Sequence, residues 1–177
     1  MWSAHGSVSG GVSDSRPYVW GVDVSTARVA VGIAPLSSRD DSSIVAASFL
    51  LHCEGRDGER LTSYIAQMHR KFAILAKRVP PEVIWVEQAS GKFRQPILQY
   101  TVGVAMATMY EAAAAPTFSI PSSKWKAPLL GKGNANKKVI AAWATGAGIV
   151  FDNQDEADAA GIASTGRRMV QEGRYDL

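Results

Sequence analysis

Hydrophobic and polar positions fall into two periodicities along this chain, and their order predicts an architecture. Tyr18–Val24, YVWGVDV, is a short β-branched and aromatic run that reads as a buried strand. After Ser25, Thr26 and Ala27 the apolar run RVAVGIA at 28–34 reads as the return leg of a hairpin. Residues 43–52 predict a third strand. Between 57 and 79 apolar residues recur at Leu61, Tyr64, Ile65, Met68, Phe72 and Leu75, a helical period that stops at the Pro80-Pro81 pair. VIWVE at 83–87 predicts strand four, 95–114 a helix with Pro96 in its first turn, and Thr117–Ile120 strand five. Residues 121–134, with two prolines and two glycines, read as a loop, and helices over 135–145 and 152–171 complete the chain. Three successive strands followed by alternating helix and strand predict an α/β fold, a five-stranded mixed sheet with helices on both faces. No internal repeat is evident.

Composition narrows the class. A chain of 177 residues, 46% apolar and 20% charged, is long enough for one hydrophobic core and far from the disordered regime. The N-terminal run MWSAHGSVSGGVSDSR lacks the charged, apolar and cleavage regions of a secretory signal, so 1–16 is expected to be a disordered tail and 17–177 one domain. The longest uncharged apolar stretch, thirteen residues from Val139, is too short and glycine-rich to span a membrane. The single cysteine, Cys53, excludes an internal disulfide and reads as a small buried hydrophobe. Together these features predict a cytoplasmic protein without membrane contact.

The net charge is only +3, but residues 112–151 contain no acid and five lysines, Lys124, Lys126, Lys132, Lys137 and Lys138. A lysine-only segment directly before the acidic run DNQDEADAAG at 152–161 predicts a basic wall beside an acidic pocket, an arrangement suited to a polyanion.

Asp23 is the one charge in YVWGVDV, and Glu87 the one charge in VIWVE, again at the end of the strand. A carboxylate in such surroundings is costly unless something neutralises it. Either alone reads as a strand-end acid bonded to a loop; two together point to a shared site. Period-two geometry puts Val19, Gly21 and Asp23 on one face, with Gly21 expected to leave free volume beside the carboxylate. In DNQDEADAAG, Asp152 or Asn153 serves as a helix cap and the macrodipole accounts for acids in the first turn. Asp155 and Asp158, three apart, share a helix face, and Ala157, Ala160 and Gly161 are expected to press against the sheet. Four clustered carboxylates, Asp23, Glu87, Asp155 and Asp158, raise one another's pKa values and call for cations. Oxygen-only ligands favour magnesium, with manganese as a substitute, and point to two ions about 3.5 to 4 Å apart for phosphoryl transfer.

These residues resemble the RuvC family of Holliday junction resolvases, within the ribonuclease H-like nucleases and of the phage-encoded type. The resemblance runs from about Tyr18 to Ala163 and rests on GVDVSTARVAVGIA, WVEQ, GKGNANK and DEADAAGIA in that order. It implies a ribonuclease H-like fold and a magnesium-dependent endonuclease resolving four-way junctions and related branched DNA, with 5′-phosphate and 3′-hydroxyl products. Asp23, Glu87, Asp155 and Asp158 match the family's four metal-binding acids. Lys126 and Lys137 match its phosphate-holding lysines, Lys137 also stabilising developing charge. Lys124, Lys132 and Lys138 are then expected on the DNA backbone. The family's wedge aromatic, which follows its glutamate-glutamine pair closely, is absent; Phe93, between Lys92 and Arg94, either takes that role or anchors the following helix. The resemblance also implies a homodimer, with the 95–114 helix as interface.

His5, His52 and His69 have no expected catalytic role. Trp20, Trp85, Trp125 and Trp143 read as core or loop anchors, and Trp125, between two lysines, is the one tryptophan to test at the DNA surface. Two other readings stay open. The same acids serve a flap nuclease, an exonuclease or an RNA/DNA hybrid nuclease, and DVST after a strand also resembles the phosphate-binding hairpin of actin-like ATPases.

Overall fold

A computed structural model describes residues 17–51, 57–88 and 96–174. The predicted tail at 1–16, Cys53 and His52 lie outside the described residues. Five strands, β1 (Tyr18–Val24), β2 (Arg28–Pro35), β3 (Val45–Leu50), β4 (Pro81–Glu87) and β5 (Thr117–Ile120), form one sheet in the order β3-β2-β1-β4-β5. The first three pair antiparallel; β4 and β5 add in parallel to β1, which makes the sheet mixed. The helices are α1 (Asp57–Arg78), α2 (Pro96–Ala113), α3 (Ser122–Leu130), α4 (Lys137–Gly146) and α5 (Gln154–Gln171).

Strand alternation sorts the side chains into two cores. Trp20, Val22, Ile84 and Val86 face one way, onto Tyr64, Met68 and Phe72 of α1 and Val102, Ala105 and Met109 of α2. Val19, Val83 and Trp85 face the other way, onto α3, α4 and α5. Helices therefore cover both faces, as the hydrophobic pattern predicts.

Helix α5 is buried on every side from Glu156 to Arg167, between the sheet and the pair α3 and α4. A helix enclosed in this way has room only for small residues, which accounts for the alanines and glycines of its sequence. A β-carbon added to Gly21 would lie 2.5 Å from the Ala159 carbonyl oxygen, and one on Gly32 2.6 Å from the Ala159 carbonyl carbon. The space beside Asp23 that Gly21 was expected to leave free is thus filled by the α5 backbone. Gly161 turns away from the sheet: its missing β-carbon makes room for the Trp125 ring of α3, 2.5 Å from the Cζ3 position. Ala159, Ala160 and Ala163 make the close approach to the strands instead.

At the opposite end of α5 the fully buried Arg167 fastens the β2–β3 connection. Its guanidinium donates to Asp41 at 2.6 Å, to the Asp40 carbonyl at 3.0 Å and to Ser43 at 3.2 Å, and Arg168 adds a 2.8 Å pair to the other Asp41 oxygen. Ser164 also donates to Asp41, at 2.6 Å. The same connection corrects the start of the third strand, predicted from 43. Asp40 accepts from the Ser42 N–H at 2.9 Å and the Ser42 hydroxyl at 2.6 Å, and these local bonds wind Asp41–Ser43 into a 3-10 turn, so that β3 begins at Val45.

The 121–134 segment, predicted as a loop, contains α3. Its Pro128 lies inside the helix, but burial of Trp125 against α5 outweighs the lost backbone bond. Gly131, at φ 76°, ends it in the left-handed region, with its N–H on the Ala127 carbonyl at 2.9 Å.

Candidate active site

The ends of two adjacent parallel strands and the start of α5 meet at one place. Val22 pairs with Val86 across β1 and β4, so the next residues, Asp23 and Glu87, stand side by side at the carboxyl ends of these strands. Because Val22 and Val86 face α1 and α2, alternation turns Asp23 and Glu87 towards α5. Asn153 caps α5 by accepting from the Glu156 N–H at 3.2 Å, and the first turns carry Asp155 and Asp158 into the same region.

Electrostatics record the convergence. Burial pushes the Asp23 carboxyl up to about 7, with repulsion from Asp158 and Asp155 adding to it and Lys137 and Lys126 opposing it. Burial likewise raises Glu87 to about 8, reinforced by Asp23 and Asp158 and opposed by Lys126 and by Trp125. Asp158 is raised chiefly by desolvation, although Gln154 donates to it at 3.2 Å and both lysines pull the other way. Asp23, Glu87, Asp155, Asp158, Lys126 and Lys137 therefore share one electrostatic neighbourhood. Lys126 reaches it from α3 and is partly buried; Lys137 is exposed at the first turn of α4.

Among the described residues no three acidic, histidine or cysteine groups lie close enough to ligate one ion together. The acids form a loose cluster whose donor chemistry, carboxylate oxygen only, suits a hard divalent cation. The raised pKa values of Asp23 and Glu87 have the same meaning: a site short of positive charge, in which a cation would restore the ionised forms.

Sequence reasoning did not find Arg28 or the anchoring role of Glu156. Arg28, the first residue of β2, places its guanidinium 3.9 Å from Asp155, both side chains about one-third exposed. It follows the hairpin turn, where Ser25 locks the geometry by accepting from the Arg28 N–H at 2.9 Å. The cation in DVSTAR was available as a signal, but its partner is distant in the chain. Glu156 is a buried acid within the acidic run that points elsewhere: it accepts from Ser48 at 2.6 Å, from Asn153 at 2.8 Å and from the Asp152 N–H at 2.7 Å. It anchors α5 to β3. Trp125 is fully buried beneath α5, a core anchor and not a residue of the DNA surface.

The remaining basic residues scatter. Lys132 and Lys138 are exposed at the α3–α4 junction. Lys124 lines a separate recess with Pro128, Thr165, Arg168, Met169 and Arg174, beside the second half of α5. Lys92, Phe93 and Arg94 lie outside the described residues. His69 is exposed on α1, on the face of the sheet opposite the acids; His5 is outside the described residues. Trp20 and Trp85 are core residues, and Trp143 is partly buried against the α5-side core.

Comparison with known proteins found no matching family profile and no matching curated sequence. Among solved structures, RuvC of Thermus thermophilus is similar at 25% identity and a TM-score of 0.68, over 88% of this chain and 96% of that one. The same Thermus protein in complex with a Holliday junction substrate is similar at 23% identity and a TM-score of 0.69, with the same coverage. The yeast mitochondrial Holliday junction resolvase Ydc2 aligns at 17% identity and a TM-score of 0.54, over 85% of this chain and 78% of that one.

Proposed function

We propose, from the RuvC resolvase fold that this chain has, that it is a nuclease of that kind: a divalent-metal-dependent endonuclease that cuts four-way and related branched DNA by phosphodiester hydrolysis, leaving 5′-phosphate and 3′-hydroxyl ends. The observation that carries the reading is the meeting of Asp23 and Glu87, from neighbouring strands, with Asp155 and Asp158 of α5 beside Lys126 and Lys137. Carboxylates alone would repel DNA; carboxylates ringed by cations can take a phosphate once their own charge is balanced.

Asp23, Glu87, Asp155 and Asp158 would hold magnesium, or manganese in its place. Such ions, when bound, polarise a phosphoryl oxygen and lower the pKa of water at neutral pH. The chain's own groups do the rest. Lys126 and Lys137 grip the scissile phosphate and stabilise charge that develops on its oxygens. Gln154 holds the Asp158 carboxylate, and Arg28 limits the repulsion at Asp155. Lys132 and Lys138, exposed beside Lys137, extend the basic surface along the DNA backbone, where contacts fix position without reading sequence.

The partner copy belongs to the same reading. Helix α2 exposes Tyr100 (75%) and Tyr110 (61%), and Gln99, Tyr100, Gly103, Val104 and Ala107 line a shallow recess on it. A second copy docked there would present two sites to the two opposed strands of a junction.

Purified protein assayed on four-way junctions, flaps, forks and RNA/DNA hybrids with and without magnesium tests the proposal. The expected result is paired nicks in the four-way junction that require the metal. Asp23→Asn is expected to lower that rate at least about a thousandfold while junction affinity stays within about twofold, because a carboxylate is removed and the basic surface is untouched. Undiminished cutting by Asp23→Asn would exclude the site, and cutting confined to flaps or hybrids would exclude the substrate.

A further inference from the structure

Ser48, Ala30 and Asp23 lie in one row across the sheet. Asp23 pairs with Ala30 and Ala30 with Ser48, so the three side chains share the face that carries α5. Ser48 and Asp23 are then two strand spacings apart, about 10 Å. Helix α5 is tied to the far end of this row by Glu156. The Glu156 carboxyl is buried, and three donors converge on it: the Ser48 hydroxyl at 2.6 Å, the Asn153 side-chain amide at 2.8 Å and the Asp152 N–H at 2.7 Å. The Asn153 amide also donates to the Ser48 hydroxyl, at 3.0 Å, and its oxygen accepts from the Glu156 N–H at 3.2 Å.

A capping box needs only the cap residue, the acid three residues on and a backbone N–H at the helix start. Ser48 is the additional member. It comes from a strand 108 residues away and makes the cap of α5 part of the sheet. The close contacts of the α5 backbone with Gly21 and Gly32, one row further along the strands, set how near the helix lies. Such contacts do not by themselves fix its rotation or its position along its own axis, whereas a directional hydrogen bond does. Successive helical residues step round the axis by about 100°, which puts Glu156 about 100° from Asp155 and about 160° from Asp158. Holding one of the three therefore aims the other two. The pair between Arg28 and Asp155 is a weaker tie, at 3.9 Å with both side chains about one-third exposed.

We propose that Glu156 is a positioning residue of the site: bonded to Ser48, it sets the rotation and register of the α5 start and so directs Asp155 and Asp158 towards Asp23 and Glu87. Glu156 acts through the helix and is not one of the ligating acids. The consequence for cleavage rests on the function proposed above, but the placement of α5 does not.

Ser48→Ala tests the proposal in the full-length protein, since it cuts the tie to the sheet and leaves the Asn153 and Asp152 bonds of Glu156 in place. Crystals of the metal-free variant are expected to show the first two turns of α5 displaced relative to β1 and β4. Junction cleavage is expected to fall about tenfold in kcat, the usual effect of losing a partner that orients a ligand, with KM within about twofold and little change in thermal midpoint. Ser48→Thr keeps a hydroxyl and is expected to cut at close to the wild-type rate. Glu156→Gln, which puts a donor where an acceptor stood, is expected to lose at least as much as Ser48→Ala; the serine variants answer the question even if it folds poorly. An α5 start in Ser48→Ala that superposes on the wild type overturns the positioning role, as does an undiminished rate in that variant or an equal loss in Ser48→Thr. A displaced α5 in a protein whose wild type cuts no branched DNA supports the positioning role and overturns the function instead.

Discussion

Asp23 and Glu87 carry the consequence most easily measured at the level of single residues. Their folded-state pKa values, about 7 and about 8, lie above the ordinary carboxylate range near 4. Between pH 4 and pH 8 the folded chain therefore holds protons that the unfolded chain has released. Linkage then makes the metal-free protein lose stability as pH rises through that window. Asp23→Asn removes one of the two groups, so the variant is expected to be more stable than the wild type at pH 8, by about 2 kcal/mol after allowance for solvent screening, and nearly equal to it at pH 4.5. Urea midpoints at the two pH values check this, and a variant equal to the wild type at both would contradict it. The two acids were legible in the sequence because a lone charge in an apolar strand has few bland explanations. Arg28 was not: it faces an acid 127 residues away.

Among the secondary-structure elements, α5 governs the design. Its N-terminus presents Asp155 and Asp158, its middle lies against Gly21 and Gly32, and its C-terminal half is fastened by Arg167 to the β2–β3 connection. The approach to the strands sets how far Asp155 and Asp158 stand from Asp23 and Glu87. Gly32→Ala places a methyl group against the α5 backbone, which has no flexible end to yield, and is expected to cost about 3 kcal/mol in denaturant unfolding and to slow cleavage as well. A fully stable Gly32→Ala would mean that α5 can move away from the sheet without consequence. Sequence periodicity located this helix and every strand. It missed α3 because Pro128 and the neighbouring glycines read as loop chemistry, while the burial of Trp125 that stabilises the helix is a tertiary effect. It also read Gly21 as space where the fold uses it as contact.

For the whole molecule, the two faces of the sheet have different tasks. The α3–α4–α5 side holds the acids and the lysines, and the α1–α2 side exposes Tyr100 and Tyr110. Among the described residues no helix is long and apolar enough to cross a membrane. With α2 as the contact between two copies, Tyr100→Glu is expected to shift sedimentation from dimer to monomer and to replace paired nicks in a junction with single ones. A variant that still sediments as a dimer would place the contact elsewhere.

In the proposed function Asp23, Glu87, Asp155 and Asp158, separate in the chain, together bind the ions that hydrolyse DNA. Anomalous diffraction from crystals soaked in manganese tests it directly. Anomalous peaks are expected within coordination distance of these four carboxylates, beside Lys126 and Lys137, and are expected to be lost in Asp23→Asn. Manganese bound only at other residues, or bound undiminished in that variant, would contradict it.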